Sequence, residues 1–141
     1  FSNSLLRNTN VTANAATENA SNEEVIQPRG LAANLTISID GGNGEVWAKA
    51  KNNFTLFPST IYVYVELYSS QTYQESYANM KLVKMDSVTD LNMGKSIIVS
   101  VPTNGEQKYW QARMRYKFDN REWTSKTTQT ILFDGQGNVI K

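Results

Sequence analysis

From residue 31 onward, apolar and polar side chains alternate with a period of two, the signature of strands buried on one face. Leu35, Ile37 and Ile39 alternate with Thr36 and Ser38, and Asp40-Gly41-Gly42-Asn43-Gly44 breaks the run with positions suited to a tight turn. Val46, Ala48 and Ala50 alternate with Trp47, Lys49 and Lys51. After a loop that holds Asn52-Asn53 and Phe57-Pro58, Ile61, Val63, Val65 and Leu67 alternate with Tyr62, Tyr64, Glu66 and Tyr68. Residues 77–85 read as a weaker strand with no assignable inward face. Residues 85–93 have room for one short turn. Ile97, Val99 and Val101 form a short strand, closed by Pro102 and Asn104-Gly105. Trp110, Ala112, Met114 and Tyr116 alternate with Gln111, Arg113, Arg115 and Lys117. Residues 123–133 read as one Thr-rich strand, and Asp134-Gly135-Gln136-Gly137-Asn138 as a last turn before Val139-Ile140.

About seven strands with short connections and no helical period predict an all-β domain. The expected architecture is an antiparallel β-sandwich of immunoglobulin-like or fibronectin-III-like type, with a closed barrel as the alternative. The domain occupies residues 31–141. Residues 1–30 form a polar N-terminal tail rich in Asn, Thr, Ala and Ser, too poor in apolar surface to offset its ordering entropy.

Composition narrows the chemistry. The 141-residue chain contains no His and no Cys. Ser-His-Asp and Cys-His catalysis, Cys/His zinc sites, haem ligation and disulfides are therefore outside its repertoire. A net charge of +1 argues against a nucleic-acid partner. No run of apolar residues is long enough for a transmembrane helix. The Asp and Glu residues scatter through turns and exposed strand positions, so no paired-carboxylate enzyme is expected, and no cofactor. Asp40-Gly-Gly-Asn and Asp134-Gly-Gln-Gly-Asn offer oxygen ligands for calcium, but the same sequences are ordinary hairpin turns. Asn-X-Ser/Thr sequons at Asn10, Asn19, Asn34 and Asn53 match what chance gives in so Asn-rich a chain.

Short motifs recur in a telling order: Pro28-Arg29-Gly30, Gly42-Asn43-Gly44-Glu45-Val46, Val63-Tyr64-Val65-Glu66-Leu67, Val99-Ser100-Val101-Pro102 and Tyr109-Trp110-Gln111-Ala112-Arg113. Over residues 28–133 this order resembles a family of small exported proteins of Firmicutes, each with a signal peptide, a polar spacer and one β domain. The run 109–116 followed by Trp123-Thr124-Ser125 also resembles the last hairpin of fibronectin-III-like domains. The resemblance implies export and fold; the family has no agreed biochemical function. The chain departs from it in its lack of Cys and its long Asn-rich tail. A start at Phe1 fits a mature chain after signal-peptide removal, secreted or on the surface of a Gram-positive bacterium.

In a sandwich, strands 60–68 and 109–117 are expected to be neighbours. Their outward faces then carry Tyr62, Tyr64 and Tyr68 beside Tyr109, Arg113 and Arg115. Such a face has two readings. Arg–Tyr stacking and cross-strand pairing stabilise a bare sheet. Tyr and Arg also dominate binding hot spots, which suggests docking of a protein, a cell-wall glycan or another copy of the chain. Trp47 either joins this face or lies in the core, and Trp110 and Trp123 are expected in the core and at its edge. Two functions follow: a non-enzymatic binding module, or a fibre or surface-layer subunit linked by donor-strand addition. The second would use tail segments around Val11 and around Val25 and Ile26, since 24 extended residues reach ~80 Å.

Overall fold

The computed structural model describes residues 34–56 and 60–140. The tail, its candidate donor residues Val11, Val25 and Ile26, the Pro28-Arg29-Gly30 motif and Phe57-Pro58 lie outside the described residues. Eight strands run in the order β1 (Leu35–Gly42), β2 (Glu45–Asn52), β3 (Ile61–Ser70), β4 (Lys81–Val88), β5 (Ser96–Pro102), β6 (Lys108–Phe118), β7 (Thr124–Thr127) and β8 (Ile131–Phe133). They form two antiparallel sheets, one ordered β1-β2-β5 and the other β4-β3-β6-β7, with β8 also paired to β6. This is the expected β-sandwich, with two departures. The run 123–133 is two strands rather than one. The weak strand begins at Lys81, after a single 3-10 turn at Tyr77–Asn79. Among the described residues no helix is long and apolar enough to cross a membrane.

The period-two pattern explains the core. Leu35, Ile37 and Ile39 from β1, Val46, Ala48 and Ala50 from β2, and Val99 from β5 face Ile61, Val63, Val65 and Leu67 from β3. β6 adds Trp110, Ala112, Met114, Tyr116 and Phe118. The middle strand of the smaller sheet offers only small side chains, and the bulk comes from β6, so the two layers fill one another's space. Asn52 is buried but satisfied. Its Nδ2 donates to the Leu91 carbonyl (2.8 Å) and its Oδ1 accepts from the Phe54 N–H (2.8 Å), pinning the β4–β5 connection to the end of β2.

Each open side of the sandwich is bridged by a lysine. Lys84 on β4 donates to the Ser100 carbonyl of β5 (3.1 Å), and buried Lys126 on β7 donates to the Leu35 carbonyl of β1 (2.8 Å). Opposite core residues Leu67 and Val65 of β3, the β4 positions are Lys84 and Asp86. Charges that point inward from an edge strand, and a bulge within it, are devices that blunt an edge against further strand pairing.

At one end of the sandwich three turns meet backbone to backbone. The Gly44 N–H donates to the Gln136 carbonyl (2.8 Å), the Thr103 N–H donates to the Gly44 carbonyl (2.8 Å), and the Thr103 hydroxyl donates to the Gly135 carbonyl. A methyl group on Gly41 would overlap the Gly137 carbonyl oxygen, and Gly137 itself has φ +81° and lies against the Glu45 carbonyl. Glycine at these positions permits the close approach. Gly41→Ala is expected to lower unfolding stability by about 2–3 kcal/mol, because backbone and not a flexible side chain must move. Urea denaturation measures it; a loss below about 0.5 kcal/mol contradicts this packing.

Candidate functional site

β3 and β6 are the two central strands of the larger sheet, and their register fixes its outer face. Tyr62 pairs with Lys117, Tyr64 with Arg115, Glu66 with Arg113, Tyr68 with Gln111, and Ser70 with Tyr109. The residues expected on one face by alternation, Tyr62, Tyr64, Tyr68, Tyr109, Arg113 and Arg115, do share it. The surface is not bare, however. Residues 71–80 fold back over one half of it, and the other half is open.

The centre of the face is a buried ionic cluster. Glu66 is 4% exposed. Its Oε2 accepts from Arg115 Nε (2.9 Å), and its Oε1 accepts from the Tyr68 hydroxyl (2.6 Å) and from Arg113 Nη1 (3.4 Å). A carboxylate this far from water requires such partners, since desolvation alone would expel it. Burial pushes the Tyr68 hydroxyl up to about 12, reinforced by its hydrogen bond to Glu66 and opposed by Arg113. Tyr68 is thus a neutral donor to a charged acceptor, a strong class of hydrogen bond.

From this cluster, contacts run in both directions. The Arg113 guanidinium lies 4.4 Å from the Tyr77 ring centroid, and Tyr77 packs on Tyr68 at 5.2 Å. This docks the 3-10 turn onto the sheet. On the open half, Arg115 lies over Tyr64 (4.4 Å), Tyr64 meets Trp123 edge-on (5.4 Å), and Lys117 sits over both Tyr62 (5.1 Å) and Trp123 (5.4 Å). Trp123, expected at the core edge, is instead 44% exposed on this face. Trp47 lies on the outer face of the opposite sheet, in register with Asp40 and Ser100 and close to Gly42, and takes no part here. Trp110 is in the core.

Two bulges fall on one row of the larger sheet. Between β3 and β4, the register jumps from Leu67–Lys84 to Tyr68–Leu82 and leaves Val83 extra. Between β6 and the last strands, Arg113 pairs with Thr127 and Trp110 with Ile131, so residues 128–130 oppose only Gln111 and Ala112. A Thr-rich sequence gives no warning of this break. The Thr128 hydroxyl accepts the Ala112 N–H (3.1 Å), and Gln111 Nε2 donates to the Thr128 carbonyl (2.7 Å), replacing the interrupted ladder. Bulges re-aim side chains and recur beside functional sites. Here a cleft of about 540 Å³ opens between residues 127–130 and the segment that covers the sheet; Gln111, Tyr73, Ser76 and Asn79 help line it. The Thr130 hydroxyl donates to the Gln74 carbonyl (2.6 Å) and ties the two walls together. Tyr73 meets Tyr109 edge-on at 5.8 Å.

The two Asp-Gly turns considered for calcium also come together, but their carboxylates serve the backbone. Asp134 Oδ1 accepts the N–H groups of Gln136 and Asn138 (both 2.9 Å), and Asp40 Oδ1 accepts that of Gly41 (2.8 Å). Burial holds the Asp40 carboxyl above the usual carboxylate range, with the Gly41 N–H pulling the other way. Among the described residues no three Asp, Glu, His or Cys side chains gather as metal ligands.

No protein-family model matches the sequence, and a search of curated proteins gives no match. Among solved structures, the chain is similar to a DUF3823 family protein from Bacteroides ovatus, with a TM-score of 0.40 and 12% identity. The similarity covers 70% of this chain and 53% of that one, so the chain spans about half the length of that protein.

The raised Tyr68 value makes a prediction about pH. Between about 10, where an unfolded Tyr ionises, and about 12, the folded chain keeps the Tyr68 proton while the unfolded chain loses it. The unfolded state then binds fewer protons, so stability falls as pH rises. Urea unfolding at pH 8 and pH 11 is expected to show a smaller alkaline loss for Tyr68→Phe than for wild type. An identical pH dependence would place the Tyr68 hydroxyl outside the cluster.

Proposed function

We propose that this domain is a non-enzymatic exported binding module that presents the outer face of its larger sheet to a protein or a glycan. The observation that carries the reading is the ordered aromatic and cationic stack on the open half: Tyr62, Tyr64, Trp123, Arg115 and Lys117, held in place by mutual contacts while Trp123 remains 44% exposed. Rigid aromatic and Arg side chains bind at low entropic cost because their rotamers are already fixed. Export by a Gram-positive bacterium belongs to the same reading and rests on the composition of the tail and the absence of Cys. The sheet orders β1-β2-β5 and β4-β3-β6-β7 support grouping the sandwich with fibronectin-III-like folds, which display binding surfaces on rigid cores.

Self-assembly through strand addition has less support. The lysines that bridge β4 to β5 and β7 to β1 weigh against strand acceptance on either side of the sandwich.

Co-sedimentation of the full chain with Gram-positive cell walls that retain their associated proteins tests the reading. Wild type is expected to pellet with the walls. The double variant Tyr64→Ser, Trp123→Ser is expected to lose about tenfold in affinity while Trp47→Ser, on the opposite sheet, binds as wild type. Loss with Trp47→Ser and none with the double variant would assign binding to the wrong face, and absence of any wild-type pelleting would remove the reading.

A further inference from the structure

We propose that the cleft between residues 127–130 and the segment 73–79 is a subsite for one neutral saccharide unit, with the Gln111 side-chain oxygen as its internal acceptor. This deepens the binding-module reading and rests on it: the cleft continues the same face, one row from the Glu66 cluster.

The argument begins with an unpaired acceptor. Gln111 is 3% exposed, and its amide orientation is fixed because Nε2 donates to the Thr128 carbonyl at 2.7 Å. Oε1 is left buried with no hydrogen-bond partner. A buried acceptor without a donor is costly, and each one in a native structure calls for an explanation. Three hydroxyls of the walls are already engaged. The Thr128 hydroxyl accepts from Ala112 and donates to Gln129, the Thr130 hydroxyl donates to Gln74, and the Ser76 hydroxyl accepts from Ala78. Gln111 Oε1 is the acceptor of this lining that is both buried and unpaired, and it suits a donor brought by a ligand.

The lining selects the ligand class. A volume of about 540 Å³ falls within the ~300–1,000 Å³ of small-molecule sites. No Lys or Arg lines the cleft, and Glu75 adds a carboxylate, so a phosphate or an acidic sugar meets no counter-charge. Hydroxyl and amide side chains dominate, which disfavours an apolar side chain. Tyr73 is 60% exposed, and its edge-on contact with Tyr109 fixes its ring at the rim. A pyranose combines what this arrangement asks for: a C–H face for a tyrosine ring, and hydroxyl donors for Gln111 Oε1 and Glu75.

The test is a titration of the isotope-labelled full chain, followed by ¹H–¹⁵N NMR, with a β-1,4-linked N-acetylglucosamine tetramer, a cellulose tetramer and a galacturonate trimer, each to about 10 mM, a range that detects Kd values near 1 mM. The expected result is saturable shifts at the Gln111 side-chain amide, Tyr73 and Thr128–Thr130 with at least one neutral tetramer. Gln111→Met and Tyr73→Ala should each weaken that binding at least fivefold. Tyr73 is exposed, so its variant keeps the test clear of folding effects. Shifts confined to Tyr62, Tyr64 and Trp123 would overturn the cleft assignment and leave the face reading standing. Equal or tighter binding of the galacturonate trimer would overturn the neutral class. Silence with both neutral tetramers would overturn the proposal, while cell-wall co-sedimentation still decides the face on its own.

Discussion

The outer face of this sandwich depends on one buried carboxylate. Glu66 stands at the middle of β3, and its two oxygens take hydrogen bonds from Arg113, Arg115 and Tyr68. The cluster carries more positive than negative charge, and its guanidinium planes reach out to Tyr77 on one side and Tyr64 on the other. One ionic centre therefore sets both halves of the surface, the covered one and the open one. Because both arginines keep some exposure, the cost of desolvation falls mainly on Glu66.

The remaining architecture supplies a frame for that centre. Alternation along β3 and β6 sends their aliphatic and aromatic core residues inward and leaves the opposite side chains free to meet across the strands. The bulges at Val83 and at 128–130 disturb the sheet on both sides of the Tyr68–Gln111 row, where a covered surface gives way to a cleft. The glycine turns that meet at Gly41, Gly135 and Gly137 fasten the chain beyond β8 to the β1–β2 and β5–β6 turns. The cleft thus lies toward the end of the sandwich where these turns meet, and the open aromatic stack lies toward the other end.

Much of this was legible in the sequence. Period-two alternation locates the strands that build the core and puts Tyr62, Tyr64, Tyr68, Arg113 and Arg115 on one face. It does so because one face of each strand must be buried. Alternation is blind to what folds over a face. Tyr77 sits in a stretch with no period, so its stacking on Arg113 and Tyr68 carries no sequence signal. The break at Thr128 is hidden because Thr suits both a strand and a bulge. Trp123 looked like a core-edge residue from its size alone, yet Tyr64 and Lys117 hold it on the surface. The apolar content of β4 was ambiguous for a physical reason: this edge strand turns Lys84 and Asp86 inward and leaves Leu82 and Met85 outside.

The claim that Glu66 organises the face is tested most directly by hydrogen exchange on Glu66→Gln, which keeps the shape and removes the charge. With the charge gone, Arg113 loses the ion pair that holds it against Tyr77. Amides of residues 71–80 are then predicted to exchange at least tenfold faster than in wild type, an opening eased by about 1.4 kcal/mol. Amides of β1, β2 and β5, in the other sheet, should keep their relative protection. Unchanged protection of 71–80 in a folded Glu66→Gln chain would contradict the account and leave the covering segment held by something other than the ionic cluster.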